Sequence, residues 1–375
     1  MRRPRTSSWV EVDLAAIRGN VEVVRELAGP GCGVWAVVKA DGYGHGAVPV
    51  SRAVVEGGAA GLVVSAFEEA AELRRGGIEA PVLLVSAGET GRAGEVVRRG
   101  IIQTAVRPEM IRALSRAAQR LGREARVHLK VDTGFGRLGV KPEKALETAR
   151  LIVSLPGLRL EGVLTHFASS EEPDSSYTEL QFERFSQAVA ALAGAGIGPG
   201  VRHAANSAAA LRFPRMRLEG VRTGLLVYGI HPGGAAPELP ALRPALTWKT
   251  RLAFTQWVRA GSPVSYGGTY VTQRESLVGV LPVGYAHGYP RRASSRAQVL
   301  VRGQRCPVIG RVCMAHVMID ATAVGEARPG DEVVLLGRQG ENQVTANDLA
   351  QWADTCVHEV TTVIAPRVRR VYTGS

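Results

Sequence analysis

The sequence predicts an α/β protein: a (β/α)8 TIM-type barrel over residues 11–240, followed by a mainly β C-terminal domain over residues 241–375. Three observations carry that reading. Short β-branched runs alternate with Ala-, Leu-, Arg- and Glu-rich helical stretches from Asp13 to about Gly229. Eight such units over roughly 220 residues suit a parallel barrel better than an open doubly wound sheet. Beyond Pro240 the texture changes to strand-like runs joined by glycine-containing turns.

The first run, Trp9–Val12, reads as a strand, and as segment 8–12 it is expected to join the second domain. Asp13 then serves as N-cap of the first helix. Barrel strands are expected at Val34–Val38, Leu62–Ser65, Val82–Ser86, Ile101–Thr104, Arg126–Val131, Leu160–Thr165, Val201–His203 and Met216–Val221. Pro108–Leu121, Pro142–Ser154 and Tyr177–Ala193 read as helices between them. The Pro-rich stretch Pro232–Pro244 marks the boundary. After it, strands are expected at Trp248–Val258, Ser276–Val283, Ala297–Val301, His316–Ile319 and Glu332–Leu336, with one helix at Ala346–Trp352.

Composition narrows the function. A chain of 375 residues exceeds what one hydrophobic core usually serves, which agrees with two domains. The four cysteines form no C-x-x-C pair, so neither a disulfide scaffold nor a metal site is expected. The opening MRRPRTSSWVEVDL has charge but no apolar run behind it, and the uncharged stretch Ala188–Val201 is broken by Gly and Pro. A cytoplasmic protein with no membrane partner is the expectation. The net charge of +12 raises nucleic acid as a partner, but the arginines are scattered and only 5% of residues are aromatic, so no stacking platform forms. Only five residues are lysine, which makes each one in an apolar setting worth weighing.

Barrel active sites gather at the C-terminal ends of the strands. There the first strand delivers Lys39 and the turn DGYGHG, Asp41 to Gly46. The fifth alternates His128, Lys130 and Asp132 against Val127, Leu129 and Val131, so its polar face is aimed at the lumen if the valine face meets the helices. The sixth ends at Thr165-His166, the seventh at His203 with Asn206-Ser207 beyond, and the eighth runs into Arg222-Thr223-Gly224. Each has a plain reading: Lys39 as a snorkelling surface residue, His166 as a satisfied core histidine. GFGRLG, Gly134 to Gly139, matches a dinucleotide fingerprint only formally, since it stands apart from the next helix. Taken together, a rim lysine, a phosphate site after strands seven and eight and a nearby arginine are the anatomy of a pyridoxal-phosphate enzyme.

The blocks AVVKADGYGHG (Ala36 to Gly46), HLKVDTGFGRLGV (His128 to Val140), GVLTHFA (Gly162 to Ala168), ANSAA (Ala205 to Ala209), VRTGLLVYG (Val221 to Gly229), VSYGGTY (Val264 to Tyr270) and GRVCMAHVMID (Gly310 to Asp320) resemble, in order, those of the alanine racemases, pyridoxal 5'-phosphate enzymes of fold type III. The resemblance implies interconversion of L- and D-alanine, with D-alanine supplied for peptidoglycan. It implies that Lys39 forms a Schiff base with the cofactor, that His166 stacks on its ring, and that Tyr43, Ser207, Gly224 and Leu225 hold its phosphate. Asn206 and His358 are further cofactor-side positions. Arg222 would face the pyridine nitrogen, and Arg137 the phenolic oxygen and the substrate carboxylate. Lys39 and Tyr266 would be the two bases. Tyr266 and the main chain of Met314 would come from the second subunit of a homodimer whose active site is shared. Lys130 is implied to be a carbamate, which would relieve its like charge beside Arg137.

The chain departs from the family pattern at His287, Ala315 and His358, where Asp, Asp and Tyr are usual. These changes keep open a related racemase with broader or serine-type specificity. A decarboxylase of the same architecture would place a carboxylate near the ring nitrogen, where Arg222 stands. A single-domain pyridoxal-phosphate carrier would lack Tyr266 and the β domain.

Overall fold

A computed structural model describes residues 7–233 and 241–374. Residues 234–240, within the Pro232–Pro244 stretch, and the basic residues at 1–6 lie outside the described residues. The chain divides into two compact units. One is built from Ile17–Gly42 and Ala47–Arg243, and the other from the segment ending at Ala16, Tyr43–Gly46 and the chain from Pro244 onward.

The first unit is a nearly closed barrel of eight parallel strands: Gly33–Val37, Gly61–Val64, Val82–Leu84, Ile101–Ala105, Ala125–Lys130, Leu158–Leu164, Val201–His203 and Gly220–Thr223. The first seven pair each with its sequence neighbour, and the eighth pairs with the first in the register Trp35 opposite Arg222. Between the seventh and eighth, the Arg222 amide donates to the Ala205 carbonyl at 2.9 Å and bridges the seam. Helices wrap the outside where the sequence signals them. Pro108–Leu121 opens on proline, whose missing N–H costs nothing there, and stops at Gly122 in the left-handed conformation with φ 58°. Asp13 accepts the Ala16 amide at 2.9 Å at the start of helix Leu14–Ala28.

The barrel lumen is filled rather than open, as this fold requires. Trp35, Val63, Leu83 and Ile102 form one buried layer. Against it lie the rings of His128 and His203, with centroids 5.5 and 5.8 Å from that of Trp35. Three strand glycines make room for these rings. A Cβ on Gly162 would stand 2.8 Å from the His128 ring, one on Gly61 2.6 Å from the Trp35 ring, and one on Gly220 3.2 Å from Trp35.

In the second unit, strand Ser8–Asp13 runs antiparallel to Leu246–Arg251 and parallel to Arg369–Thr373. Strand Glu332–Gln339 continues the same sheet. Lys249 crosses three strands, pairing with Glu11 at 3.0 Å and Glu332 at 3.2 Å. A second sheet joins Phe254–Val258, Ser276–Leu281 and Val317–Asp320.

Three expectations are corrected. The run Trp248–Val258 is two strands in different sheets, broken where Leu252 bonds Asp331 and Ala253 bonds Val280. The eighth barrel strand begins at Gly220 rather than Met216, because Pro214–Met216 is a 3-10 turn and Leu218 takes φ 53°. A second helix, Val357–Thr362, follows Ala346–Ala353; its two valines and two threonines hide it from a propensity reading.

Candidate active site

Lys39 opens a turn that ordinary residues resist. Ala40, Asp41, Gly42 and Tyr43 all take left-handed φ between 52° and 60°. That conformation costs a non-glycine residue about 1–2 kcal/mol, so the surroundings must impose it. The Asp41 carboxylate accepts the Ala47 amide at 2.8 Å, and the Gly42 amide donates to Val38 at 2.9 Å. The Glu69 carboxylate accepts the Ala40 amide at 2.7 Å with one oxygen and the Ser65 amide at 2.8 Å with the other. The Tyr228 hydroxyl fixes the strand end by donating to the Val37 carbonyl at 3.0 Å. Burial, then Arg137, pull the Lys39 amine below its usual range, with Glu69 opposing.

The fifth strand carries the polar face that the sequence alternation announced. Val127, Leu129 and Val131 are fully buried on one side, with His128, Lys130 and Asp132 buried on the other. Lys130 is pushed down to about 8 by burial, then by Arg222 and Arg137. Asp132 organises the turn that follows: one oxygen accepts the amides of Gly134 at 3.2 Å and Gly136 at 3.0 Å, and the other takes Lys141 Nζ at 3.2 Å. Burial works against its ionised form, but these donors hold its carboxyl below the usual range. The turn carries Phe135 and Arg137. The Arg137 guanidinium lies 4.1 Å from the Phe135 ring centroid, and that ring stands 5.2 Å from His166.

Arg222 is buried on the eighth strand, and its guanidinium is held by carbonyls. Nη2 donates to Thr165 at 2.6 Å and Ala204 at 3.0 Å, and Nη1 donates to His203 at 2.5 Å. The same nitrogens face His203 Nδ1 at 3.2 Å and His166 Nδ1 at 3.3 Å. Burial lowers the guanidinium to about 10, which leaves it protonated at neutral pH. His166 sits well below its normal range, first through burial and then through the cations Arg222, Lys130, Arg137 and Lys39. Asn206 caps helix Ser207–Arg212 by accepting the Ala209 amide at 2.9 Å. The Gly224 amide donates to the Ser207 hydroxyl at 3.1 Å, and Leu225 is buried beside it.

Lys39, Lys130, Arg137, His166, Asn206, Ser207, Arg222, Gly224 and Leu225 therefore all stand at one end of the barrel, in the last residues of its strands or just beyond them. In the second unit Tyr43 is buried, with its ring 5.9 Å from that of His358. Tyr266 and Met314 are 71% and 61% exposed. Ser265 takes φ 67° before Tyr266, and its hydroxyl bonds the Arg311 carbonyl at 2.7 Å, two residues from Cys313. Sequence reasoning missed Glu69 and Tyr228, whose contacts span about 30 and 190 residues and leave no local signature.

The chemical character of the barrel end is an excess of positive charge. Four cations, Lys39, Lys130, Arg137 and Arg222, meet the carboxylates of Asp132 and Glu69, each already engaged by backbone amides. The set suits a ligand bearing phosphate and carboxylate groups, the kind of donor set a pyridoxal phosphate and an amino acid need. Among the described residues, no group of three His, Cys, Asp or Glu could hold a metal, and no helix is long and apolar enough to cross a membrane.

The family of alanine racemase N-terminal domains matches residues 12–232, and that of alanine racemase C-terminal domains matches 245–372. The chain belongs to the alanine racemase family. It is 47% identical over 367 residues to the alanine racemase of Symbiobacterium thermophilum, covering 98% of this chain and 97% of that one. It is 41% identical over 371 residues to that of Halothermothrix orenii, covering 99% and 98%. Among solved structures, the alanine racemase of D-cycloserine-producing Streptomyces lavendulae superposes with a TM-score of 0.92 at 39% identity, covering 100% and 98% of the two chains. The alanine racemase of Bacillus anthracis with bound L-Ala-P gives 0.90 at 34% identity, covering 100% and 97%.

Proposed function

We propose that this chain interconverts L- and D-alanine with pyridoxal 5'-phosphate, through two bases on opposite faces of the substrate. The observation that carries the reading is the buried Arg222 guanidinium, set with Lys39, Lys130 and Arg137 around one barrel end. When bound, the cofactor supplies the electron sink that acidifies the amino acid's α C–H. Lys39 would hold it covalently, Ser207, Asn206, Gly224, Leu225 and Tyr43 would take its phosphate, and His166 would cover the ring, with His358 beside Tyr43. The Arg222 guanidinium would donate a hydrogen bond to the ring nitrogen without giving up its proton, which would weaken the sink and favour return of the α-proton over transamination. Arg137 orients the substrate carboxylate, and a carbamate on Lys130 would turn a repelling ammonium into an anion that steadies that guanidinium.

Lys39 moves the proton on one face, and burial and Arg137 lower its amine pKa, the direction a base requires. Tyr266 serves the other face from a second copy, with the Met314 main chain beside it. The exposure of both supports a homodimer with shared sites. Supply of D-alanine to peptidoglycan is the corresponding cellular role.

The test is direct. Purified protein should be yellow, and borohydride should fix the cofactor on the Lys39 peptide. L-alanine in deuterated water should give both enantiomers with deuterium at the α-carbon. Label on Lys130 instead, or one enantiomer alone, would overturn the assignment.

A further inference from the structure

A chain of imidazoles runs inward from Arg222 into the barrel. His203 Nδ1 lies 3.2 Å from Arg222 Nη1, and His203 Nε2 lies 2.9 Å from His128 Nδ1. Both histidines are fully buried. Trp35 stacks on His203 with planes 18° apart and meets His128 edge-on. Gly162 leaves the space that the His128 ring occupies.

The donor inventory fixes every proton in this chain. A guanidinium only donates, so the His203 Nδ1 that faces it must accept. A neutral imidazole carries one N–H, so that of His203 is on Nε2, and His128 Nδ1 must accept it. The His128 proton is then on Nε2, a buried nitrogen with no hydrogen-bond partner among the described residues. Burial keeps both rings neutral at pH 7, lowering His128 to about 4 and His203 well below its usual range. The opposite arrangement would set a His203 Nδ1–H against an Arg222 N–H, two donors at 3.2 Å in a low-dielectric interior.

We infer that His128 is a positioning residue for Arg222: by accepting from His203 Nε2 it locks the His203 tautomer whose bare Nδ1 faces the guanidinium. His128 has this effect from within the barrel, buried in the middle of the fifth strand. Its consequence for catalysis rests on the proposed function, in which Arg222 faces the ring nitrogen; the tautomer itself does not.

The experiment is nitrogen NMR of the full chain labelled at histidine and arginine, with and without pyridoxal 5'-phosphate, for wild type, His128→Gln and His128→Leu. Wild type should show His203 protonated at Nε2 and bare at Nδ1. His128→Gln keeps a carbonyl acceptor and should retain both that signature and the activity. His128→Leu removes the acceptor, so the His203 proton should redistribute to Nδ1 and Arg222 N–H exchange should quicken about tenfold. With alanine, that variant should lose kcat by about tenfold at nearly constant KM and form more pyruvate per turnover. A wild-type His203 protonated at Nδ1 would overturn the inference. So would a His128→Leu protein in which the His203 tautomer and Arg222 exchange are unchanged. Should that variant fail to fold, the wild-type and His128→Gln spectra still decide. A protein that binds no pyridoxal phosphate yet shows the stated tautomers would sink the functional reading and support the relay.

Discussion

Glu69 and Ala40 are joined by a hydrogen bond of 2.7 Å from the Ala40 amide to the Glu69 carboxylate, one residue past Lys39. The other carboxylate oxygen takes the amides of Ser65 and Ala66 at 2.8 and 3.0 Å. One side chain on the second barrel helix, Phe67–Arg75, thus ties the ends of two adjacent strands and braces the left-handed turn.

Glu69→Ala should therefore cost about 0.5–1.5 kcal/mol of stability in denaturant melts, the net range for a hydrogen bond whose amide water can reach. It also removes the charge that holds the Lys39 amine up, against burial and Arg137. The Lys39 pKa should fall further, so the limb of the kcat profile, which reports the amine once substrate has freed it, should move to lower pH. A variant with lower stability and an unmoved limb would restrict Glu69 to a structural role.

Asp132 is expected to act on binding rather than on chemistry. It holds the Gly134 and Gly136 amides and Lys141, and so fixes the turn that presents Arg137. Asp132→Ala should raise KM for alanine by about tenfold and change kcat far less, since a loosened carboxylate clamp weakens ground-state and transition-state binding alike. A kcat loss with unchanged KM would argue that Asp132 touches the reaction itself.

Lys130 makes stability depend on pH in a defined direction. As a free amine it holds its proton to 10.5 when unfolded and only to about 8 when folded. Between those values the unfolded chain binds more protons, so stability rises with pH from about 8 to 10.5. Below that window the full penalty applies, about 3 kcal/mol for a shift of this size. A folded-state value near 8 also keeps some amine neutral at physiological pH and able to take up CO₂. Bicarbonate at pH 7.5 should therefore raise the melting temperature of wild type and flatten its alkaline rise, while Lys130→Met should show neither effect. Equal responses in the two proteins would remove Lys130 as the cause.

The sequence made the barrel legible because parallel strands buried on both faces read as β-branched runs, and because an interruption such as His128-x-Lys130-x-Asp132 stands out against them. It misplaced the eighth strand because Met216 and Leu218 imitate strand alternation in what is a turn. The lumen glycines at 61, 162 and 220 are readable only once Trp35, His128 and His203 are known to fill the space. Glu69 was out of reach for a different reason: an acidic residue in the first turn of a helix is ordinary, and only the fold brings it to Ala40.

The departures from the family pattern lead to the last prediction. His287 Nδ1 takes the Gly284 amide at 3.3 Å, and burial, then Arg367 and His316, pull the ring below its usual range. The ring therefore favours its neutral form. In the proposed function His358 is the position that would bear on the ligand, since its ring meets Tyr43 in the second unit at 5.9 Å, on a helix the sequence did not reveal. An imidazole where the family has a phenol shortens the wall beside Tyr43 and can exchange a hydrogen bond with a hydroxyl-bearing side chain. A single polar contact of that kind can shift selectivity by one to two orders of magnitude, roughly 1–3 kcal/mol. His358→Tyr should raise the alanine-to-serine ratio of kcat/KM by about tenfold, mainly by slowing serine, and leave larger amino acids unused. Wild type and variant that are equally strict for alanine would show the histidine to be neutral in specificity, and the wall argument would fail.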